Sequence, residues 1–139
     1  MPKISSFMYC QTTKHEYPES ITPLNIIPIE SKPGRFSFSV VYSIVGFDPN
    51  KDHDGYVIFS DPKGLPILET EKYKLPVEEN HDNVVGDVAG NLLSGVTMAV
   101  EFGNLLLENE GLFKTELIFD GEKLGEFYIP VVLGGEEHE

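Results

Sequence analysis

Residues 50–61 hold the pattern that comes closest to a chemical site, and the chemistry is calcium coordination. Polar residues alternate with others and precede Gly55, and an acidic residue occupies the twelfth position. Calcium loops use this spacing because the ion takes six to eight oxygen ligands and the glycine allows a sharp turn. The candidate ligands are Asn50, Asp52, Asp54, the carbonyl oxygen of Tyr56, and Asp61.

An ordinary turn between strands is the alternative to a calcium loop. Asp, Asn and Gly are common in such turns for backbone reasons alone. Asn50 stands where calcium loops usually have aspartate, Asp61 is shorter than the usual bidentate glutamate, and the flanking segments have strand patterns. We therefore expect no cofactor, with calcium as the one candidate, and expect turn formation to account for these residues.

The single cysteine and the histidines lack the neighbours that a nucleophile or a zinc site requires. Cys10 alternates with Ile4, Ser6 and Met8 and is interpreted as a small core hydrophobe. No histidine has zinc-ligand spacing to another histidine or to the cysteine. The histidines, interpreted as solvated loop residues, are His15, His53, His81 and His138.

Sequence motifs of enzymes are also absent. No serine elbow, phosphate loop or dinucleotide fingerprint is present, and neighbouring carboxylates arise by chance among 23 acidic residues. The sequence therefore predicts a protein that is not an enzyme. A metal-dependent hydrolase built around Asp52 and Asp54 is the one hypothesis from the enzyme class.

Alternation with a period of two residues dominates the elements that would position these side chains. Residues 35–43 alternate apolar with mostly polar side chains, residues 55–60 form a second β-rich run, and the polar stretch between them predicts a hairpin with a long loop. Residues 111–119 and 122–132 flank Asp120-Gly121. This dipeptide predicts a tight hairpin, because type I′ turns need a positive φ at both positions.

The remaining segments predict shorter strands around the same core. Residues 24–29 contain proline and predict an edge strand or an irregular crossing, residues 61–64 predict a turn, residues 65–70 a return strand, and residues 96–102 a half-buried strand. Only residues 84–94 offer a helical alternative, which Gly86 and Gly90 within it and Gly95 directly after it oppose. About seven to nine strands predict an all-β antiparallel sandwich with little or no helix. The residues predicted to face inward are Phe38, Val40, Met98, Val100, Leu117 and Ile129.

Composition and charge limit the classes of protein to which the chain can belong. Its 139 residues predict one domain, residues 1–133, with an acidic disordered tail at 134–139. The net charge is −13, and Arg35 is the sole arginine, so binding to nucleic acid or to anionic membranes is not expected. Residues 71–139 carry four basic and fifteen acidic groups. A lone cysteine and no signal-peptide pattern favour a cytoplasmic location.

Several of these segments together match a known pattern. They are the opening strand that ends in Cys10, residues 21–26 leading into residues 35–43, the turn at residues 61–64, and residues 110–113 opening a strand that ends at Asp120-Gly121. The chain resembles a family of small uncharacterised bacterial proteins, sometimes phage-associated, classed as a domain of unknown function. The resemblance implies an immunoglobulin-like sandwich and supplies no activity. Phe113 stands where many such sandwiches have a tyrosine.

Three hypotheses of function follow. The first is a non-catalytic interaction or accessory module with a protein partner. Copies of the chain could also associate with one another through edge strands. The second is an acidic inhibitor or nucleic-acid mimic that docks on a basic protein surface. The third is the metal-dependent hydrolase. Salt dependence of binding separates the first two, because exposed charge pairs weaken with ionic strength.

Overall fold

The computed structural model describes residues 2–11, 22–75, 85–88 and 91–134, and none of these residues is helical. They form ten strands, of which eight are longer than three residues, in agreement with the predicted all-β fold. None of the described residues belongs to a helix that could span a membrane. The strands are β1 (Lys3–Gln11), β2 (Ile27–Ile29), β3 (Gly34–Phe47), β4 (His53–Ser60), β5 (Pro66–Glu69), β6 (Tyr73–Leu75), β7 (Val85–Val88), β8 (Asn91–Leu107), β9 (Gly111–Phe119) and β10 (Glu122–Leu133).

The strands form two sheets that enclose one core. The first has the order β1-β3-β8-β7, and the second has the order β2-β10-β9-β4-β5, with β6 also paired to β4. The pairings among the described strands are antiparallel, except that β2 pairs with β10 in parallel. Immunoglobulin domains divide their strands between two sheets in the same way, with the first, second, fifth and fourth main strands opposite the third, sixth and seventh. The fold is therefore an immunoglobulin-like β-sandwich.

The predicted hairpin between residues 35–43 and 55–60 is wrong. β3 pairs with β1 and β8 in the first sheet, whereas β4 pairs with β9, β5 and β6 in the second. The polar residues 48–52 therefore cross from one sheet to the other. Alternation shows that a segment is a half-buried strand, but its backbone donors and acceptors would suit either partner, so the pattern alone could not distinguish a hairpin from a crossing.

The Asp120-Gly121 turn forms as predicted. Asp120 has φ 52° and Gly121 has φ 81°, and the flanking residues Phe119 and Glu122 pair across the hairpin. The turn at residues 61–64 and the return strand β5 are also confirmed, with the Gly64 amide donating to the Asp61 carbonyl. Local turn chemistry was sufficient for both, because each turn depends on residues adjacent in the chain.

The core lies between the sheets and is rich in phenylalanine. Phe38, Val40, Leu117 and Ile129 are buried as predicted. Met98 and Val100 are partly buried and pack against the same cluster. The phenylalanine rings lie within aromatic contact distance of one another, with centroids 5.0 to 5.9 Å apart. This group consists of Phe38, Phe59, Phe102 and Phe113.

A hydrogen bond joins the two sheets inside this core. The hydroxyl groups of Tyr9 on β1 and Thr115 on β9 are 2.7 Å apart, and Thr115 is fully buried. A polar contact between two hydroxyls thus spans the two sheets.

The described part of the predicted helical alternative is strand. Residues 85–88 are β7, and β8 begins at Asn91, five residues before the predicted Val96. Gly134, the first residue assigned to the tail, donates its amide hydrogen to the Ile29 carbonyl at 2.8 Å. The other tail residues, 135–139, lie outside the described residues.

Candidate functional site

The predicted calcium ligands do not share one loop. Residues 53–60 are strand β4, so Asp54 lies at its start and Asp61 directly follows its end. At ~3.3 Å per residue, an offset of seven residues along the strand places the Cα atoms of Asp54 and Asp61 about 23 Å apart. Tyr56 lies inside β4 and pairs with Ile118 of β9.

Two of the candidate ligands are part of turns in the backbone. Asp61 accepts the amide hydrogens of Lys63 and Leu65 through its Oδ1, both at 2.9 Å. The amide of Asn50 donates to Asp48 Oδ1 at 2.9 Å. Within the described ranges, no three His, Cys, Asp or Glu side chains are grouped so that they could hold a metal ion. Calcium binding by Asn50, Asp52, Asp54, Tyr56 and Asp61 stays a prediction to be tested.

His53 is buried and partnered, so its interpretation as a solvated loop residue is wrong. It is the first residue of β4, and its side chain is 8% exposed. The rings of Phe47 and Phe119 lie 5.1 and 5.2 Å from its ring, the second stacked on it. His53 is buried because side chains alternate between the two faces of β4, and its own side chain shares the inner face with Gly55 and Val57. The other histidines, His15, His81 and His138, lie outside the described residues.

Both ring nitrogens of His53 have acceptors. Nδ1 is 2.6 Å from Asp120 Oδ2, and Nε2 is 2.7 Å from the carbonyl oxygen of Asp48. The second carboxylate oxygen of Asp120 accepts the amide hydrogen of Asp54 at 3.0 Å, and the Asp120 amide donates to the Asp54 carbonyl at 2.7 Å. We call His53, Asp48 and Asp120 the histidine clasp. It ties the β3–β4 crossing to the β9–β10 turn.

Electrostatics favour the charged form of this histidine. Burial alone lowers the pKa of His53. The hydrogen bonds to Asp120 and to the Asp48 carbonyl, together with the charges of both carboxylates, have the larger combined effect, so the pKa is raised overall. The stacked Phe119 ring also attracts a cation at this distance. The clasp is therefore a pair of hydrogen bonds whose geometry suits an imidazolium.

A small pocket of about 190 Å³ adjoins the clasp. The hydroxyl of Tyr73 lies 3.3 Å from the hydroxyl of Tyr42, and the Tyr73 ring packs closely against Gly55. A Cβ atom at Gly55 would lie 2.5 Å from the Tyr73 oxygen. The residues that line the pocket are Asp52, His53, Asp54, Lys74 and Leu75.

Cys10 lacks the exposure and the lowered thiol pKa that a nucleophilic cysteine has. It is 3% exposed, and burial raises the pKa of its thiol, which disfavours the reactive thiolate. Its backbone forms a bridge with Pro23. Its neighbour Tyr9 belongs to the core, and Met8, on the same side of the strand as Cys10, is exposed. The cysteine is thus buried as expected, on the side of β1 that faces away from the space between the sheets.

The outer face of the second sheet carries exposed apolar side chains. Leu112 on β9 is 57% exposed, and Tyr128 on β10 is 53% exposed. Leu112 pairs with Pro130 and Lys114 pairs with Tyr128, so Leu112 and Tyr128 are diagonal neighbours on one face. We call Leu112, Tyr128 and Pro130 the outer patch.

Charges beside the outer patch largely neutralise one another. Lys123 contacts Glu116 at 3.1 Å and also contacts Glu126, and Lys114 lies 3.8 Å from Glu116. The Tyr128 hydroxyl donates to Glu126 at 2.8 Å, which orients the ring. An apolar centre with a polar rim is the usual anatomy of a protein–protein interface.

Sequence reasoning missed both features. Because Phe113 faces the core, alternation places its neighbour Leu112 on the polar face of β9. An apolar residue on that face was a signal in the sequence for the outer patch. The clasp had no such signal, because His53 and Asp120 are 67 residues apart and the aspartate was already explained by its turn.

Solved structures similar to this chain share its fold at low sequence identity. The Pseudomonas fluorescens alkylpurine DNA glycosylase AlkC, bound to DNA containing an abasic site analog, is 13% identical over 94% of this chain and 30% of its own, with a TM-score of 0.50. A beta-glucosidase from Listeria innocua in complex with glucose is 13% identical over 94% of this chain and 16% of its own, with a TM-score of 0.49.

A third structure is an immunoglobulin-like protein from Pseudomonas aeruginosa. It is 15% identical, the match covers 95% of this chain and 97% of that protein, and the TM-score is 0.45. The chain spans less than a third of the glycosylase and about a sixth of the glucosidase. No protein-family model and no curated protein matches the sequence. Likenesses at these identities concern the fold alone.

Proposed function

We propose that this chain is a non-catalytic module that binds a protein partner through the outer patch. The observation that carries the proposal is the exposure of Leu112 and Tyr128 side by side on one sheet face. Large exposed apolar groups with a polar rim mark interaction sites. Immunoglobulin-like sandwiches also host many unrelated binding sites, which is an analogy at the level of the fold.

The rim indicates what kind of partner fits. Because Lys114, Glu116, Lys123 and Glu126 pair among themselves, the partner surface need not supply a strong opposite charge. Tyrosine is a frequent anchor at such contacts, since it buries a large ring and keeps a hydroxyl for hydrogen bonding. We therefore expect a partner with an apolar surface and binding that changes little with salt.

The net charge favours a second candidate function, an acidic inhibitor or nucleic-acid mimic on a basic protein. A charge of −13 supports attraction to such a surface. Binding to DNA itself is not proposed, although the similar glycosylase is bound to DNA, because a net charge of −13 repels the phosphate backbone. Membership of the uncharacterised bacterial family and a cytoplasmic location belong to the same proposal.

Partner capture with matched surface variants tests the outer patch. The purified chain would be cross-linked in lysate of its source cells, beside the double variant Leu112→Ser/Tyr128→Ser. The control is Ile26→Ser, which replaces an apolar side chain of similar exposure outside the patch. We expect one protein that both the original chain and the control retain, at low and at high salt, and that the double variant loses at least tenfold.

Other results would contradict this function. Equal loss in the control and the double variant would show that the patch is not the contact. A partner that dissociates as salt rises, and that the double variant retains, would support the acidic mimic instead. Metal-dependent hydrolysis of a phosphoester or glycoside by the chain would support the hydrolase.

A further inference from the structure

The histidine clasp requires a proton that a neutral imidazole does not have. The Asp48 carbonyl can only accept, so Nε2 of His53 must carry hydrogen. A neutral ring would then present a lone pair from Nδ1 to the Asp120 carboxylate at 2.6 Å. Two acceptors at this distance repel, whereas an imidazolium donates to both partners.

Each end of the clasp is held in place by its own backbone bonds. The Asp48 carbonyl also accepts from the Lys51 amide, which closes the turn of the crossing. Asp120 exchanges two hydrogen bonds with the backbone of Asp54 and has the positive φ of its turn. Deprotonation of His53 therefore cannot be relieved by rotating one free side chain, and the strain falls on the two loops.

Acidic groups dominate the surroundings of His53. Asp48 and Asp52 approach from the crossing, Asp54 from β4 and Asp120 from the β9–β10 turn. Lys74 of β6 lines the adjoining pocket and opposes the cation, and the phenol of Tyr73 stands beside Asp54 and Asp120. Phe47 and Phe119 contribute only their rings. The balance favours the protonated state.

We propose that the histidine clasp is a pH-responsive latch: protonated His53 fastens the β3–β4 crossing to the β9–β10 turn, and loss of its proton releases this end of the sandwich. In immunoglobulin variable domains the corresponding loops lie at the antigen-binding end. The latch thus controls the order of the loops best placed to contact a ligand. It does not depend on the outer patch, which lies at the other end of β9, about 23 Å away by strand rise.

The direction of the pH effect follows from the raised pKa of His53. The folded state holds the proton more tightly than the unfolded chain, so the stabilisation is complete below the unfolded pKa of about 6.5. It is lost as the pH rises through the higher folded pKa. The latch is therefore closed in mildly acidic solution and opens on alkalinisation.

NMR and hydrogen exchange on the full chain test the latch. Replacing His15, His81 and His138 by Gln leaves His53 as the single imidazole to titrate. We expect its midpoint above 6.5, and we expect protection factors of the Asp54 and Asp120 amides to fall at least tenfold through that midpoint, after the intrinsic pH dependence of exchange is divided out. The Asp61 amide, bonded to Leu65 in the β4–β5 turn, is the internal control and should not change.

Two variants complete the test. Asp120→Asn keeps a residue that tolerates the positive φ and removes the charge, so the His53 midpoint should fall. His53→Gln should abolish the pH-dependent change at Asp54 and Asp120. A midpoint at or below 6.5, protection that stays level through the titration, or an unchanged midpoint in Asp120→Asn would overturn the latch. Partner capture by the outer patch is a separate readout, so either proposal can fail alone.

Discussion

The two ends of β9 show opposite uses of polar and apolar residues. At Phe119 a charged pair, His53 with Asp120, is drawn among aromatic rings and closes the fold. At Leu112 an apolar side chain stands in solvent, with charges beside it that pair among themselves. The first arrangement holds a titratable side chain among apolar rings through its hydrogen bonds to Asp120 and to the Asp48 carbonyl, and the second leaves apolar side chains exposed.

This difference separates structural residues from residues available for function. Asp120 is bonded to the backbone amide and carbonyl of Asp54 and to the His53 side chain, so it helps to hold its turn against β4. Leu112 and Tyr128 lie on the outer face, where substitutions usually change stability by less than about 0.5 kcal/mol. The proposed binding role would give these exposed apolar groups a function that the fold does not require of them.

The largest expected effect is in the core beneath both regions. Phe38→Ala removes a fully buried ring that contacts Phe59 and Phe102 and should lower the free energy of unfolding by roughly 3–5 kcal/mol. Chemical denaturation measures this loss. If the two ends belong to one cooperative unit, they should unfold together in the variant. A loss below about 1 kcal/mol would mean that the ring is not packed as described.

Gly55 tests how tightly the clasp end is packed. A Cβ atom there would lie 2.5 Å from the Tyr73 oxygen and 2.8 Å from the Ile118 carbonyl. Gly55→Ala should therefore cost about 1–3 kcal/mol in urea denaturation. Gly103→Ala is the matched control, because a Cβ atom at Gly103 meets nothing within 4 Å. Equal stability of the two variants would contradict the close approach of Tyr73 to β4.

Substitution in the outer patch should change stability least among the side-chain changes. Leu112→Ser with Tyr128→Ser should shift the free energy of unfolding by less than about 1 kcal/mol in total, since each side chain is more than half exposed. Thermal and urea denaturation check this. A loss comparable to that of Phe38→Ala would show that the patch supports the fold, and the contrast between the two ends would disappear.

Calcium should have no specific effect on the chain. The strand β4 separates Asp54 from Asp61, so we expect calcium and magnesium at equal ionic strength to shift the melting temperature equally, through screening of the acidic surface. Asp52→Asn with Asp54→Asn should leave the equality unchanged. A shift with calcium alone, lost in that double variant, would restore the calcium loop near the clasp end.

Much of the architecture was predictable from residues close together in the chain. The Asp120-Gly121 turn, the turn at residues 61–64 and the inward faces at Phe38 and Leu117 depend on local turn chemistry and on alternation. These signals act within a few residues, and the structure confirms them. They also sufficed for the fold class, because many short amphipathic strands bury their apolar faces by packing two sheets together.

Only the tertiary structure decided which strands pair and which polar groups meet. Tyr9 and Thr115 are 106 residues apart, and His53 and Asp120 are 67 apart. Every strand offers the same backbone donors and acceptors, so alternation could not place β3 and β4 in different sheets. The clasp exists because that placement brings one end of β4 against the turn after β9, where the Asp120 carboxylate and the Asp48 carbonyl oppose the effect of burial and favour the protonated form of His53.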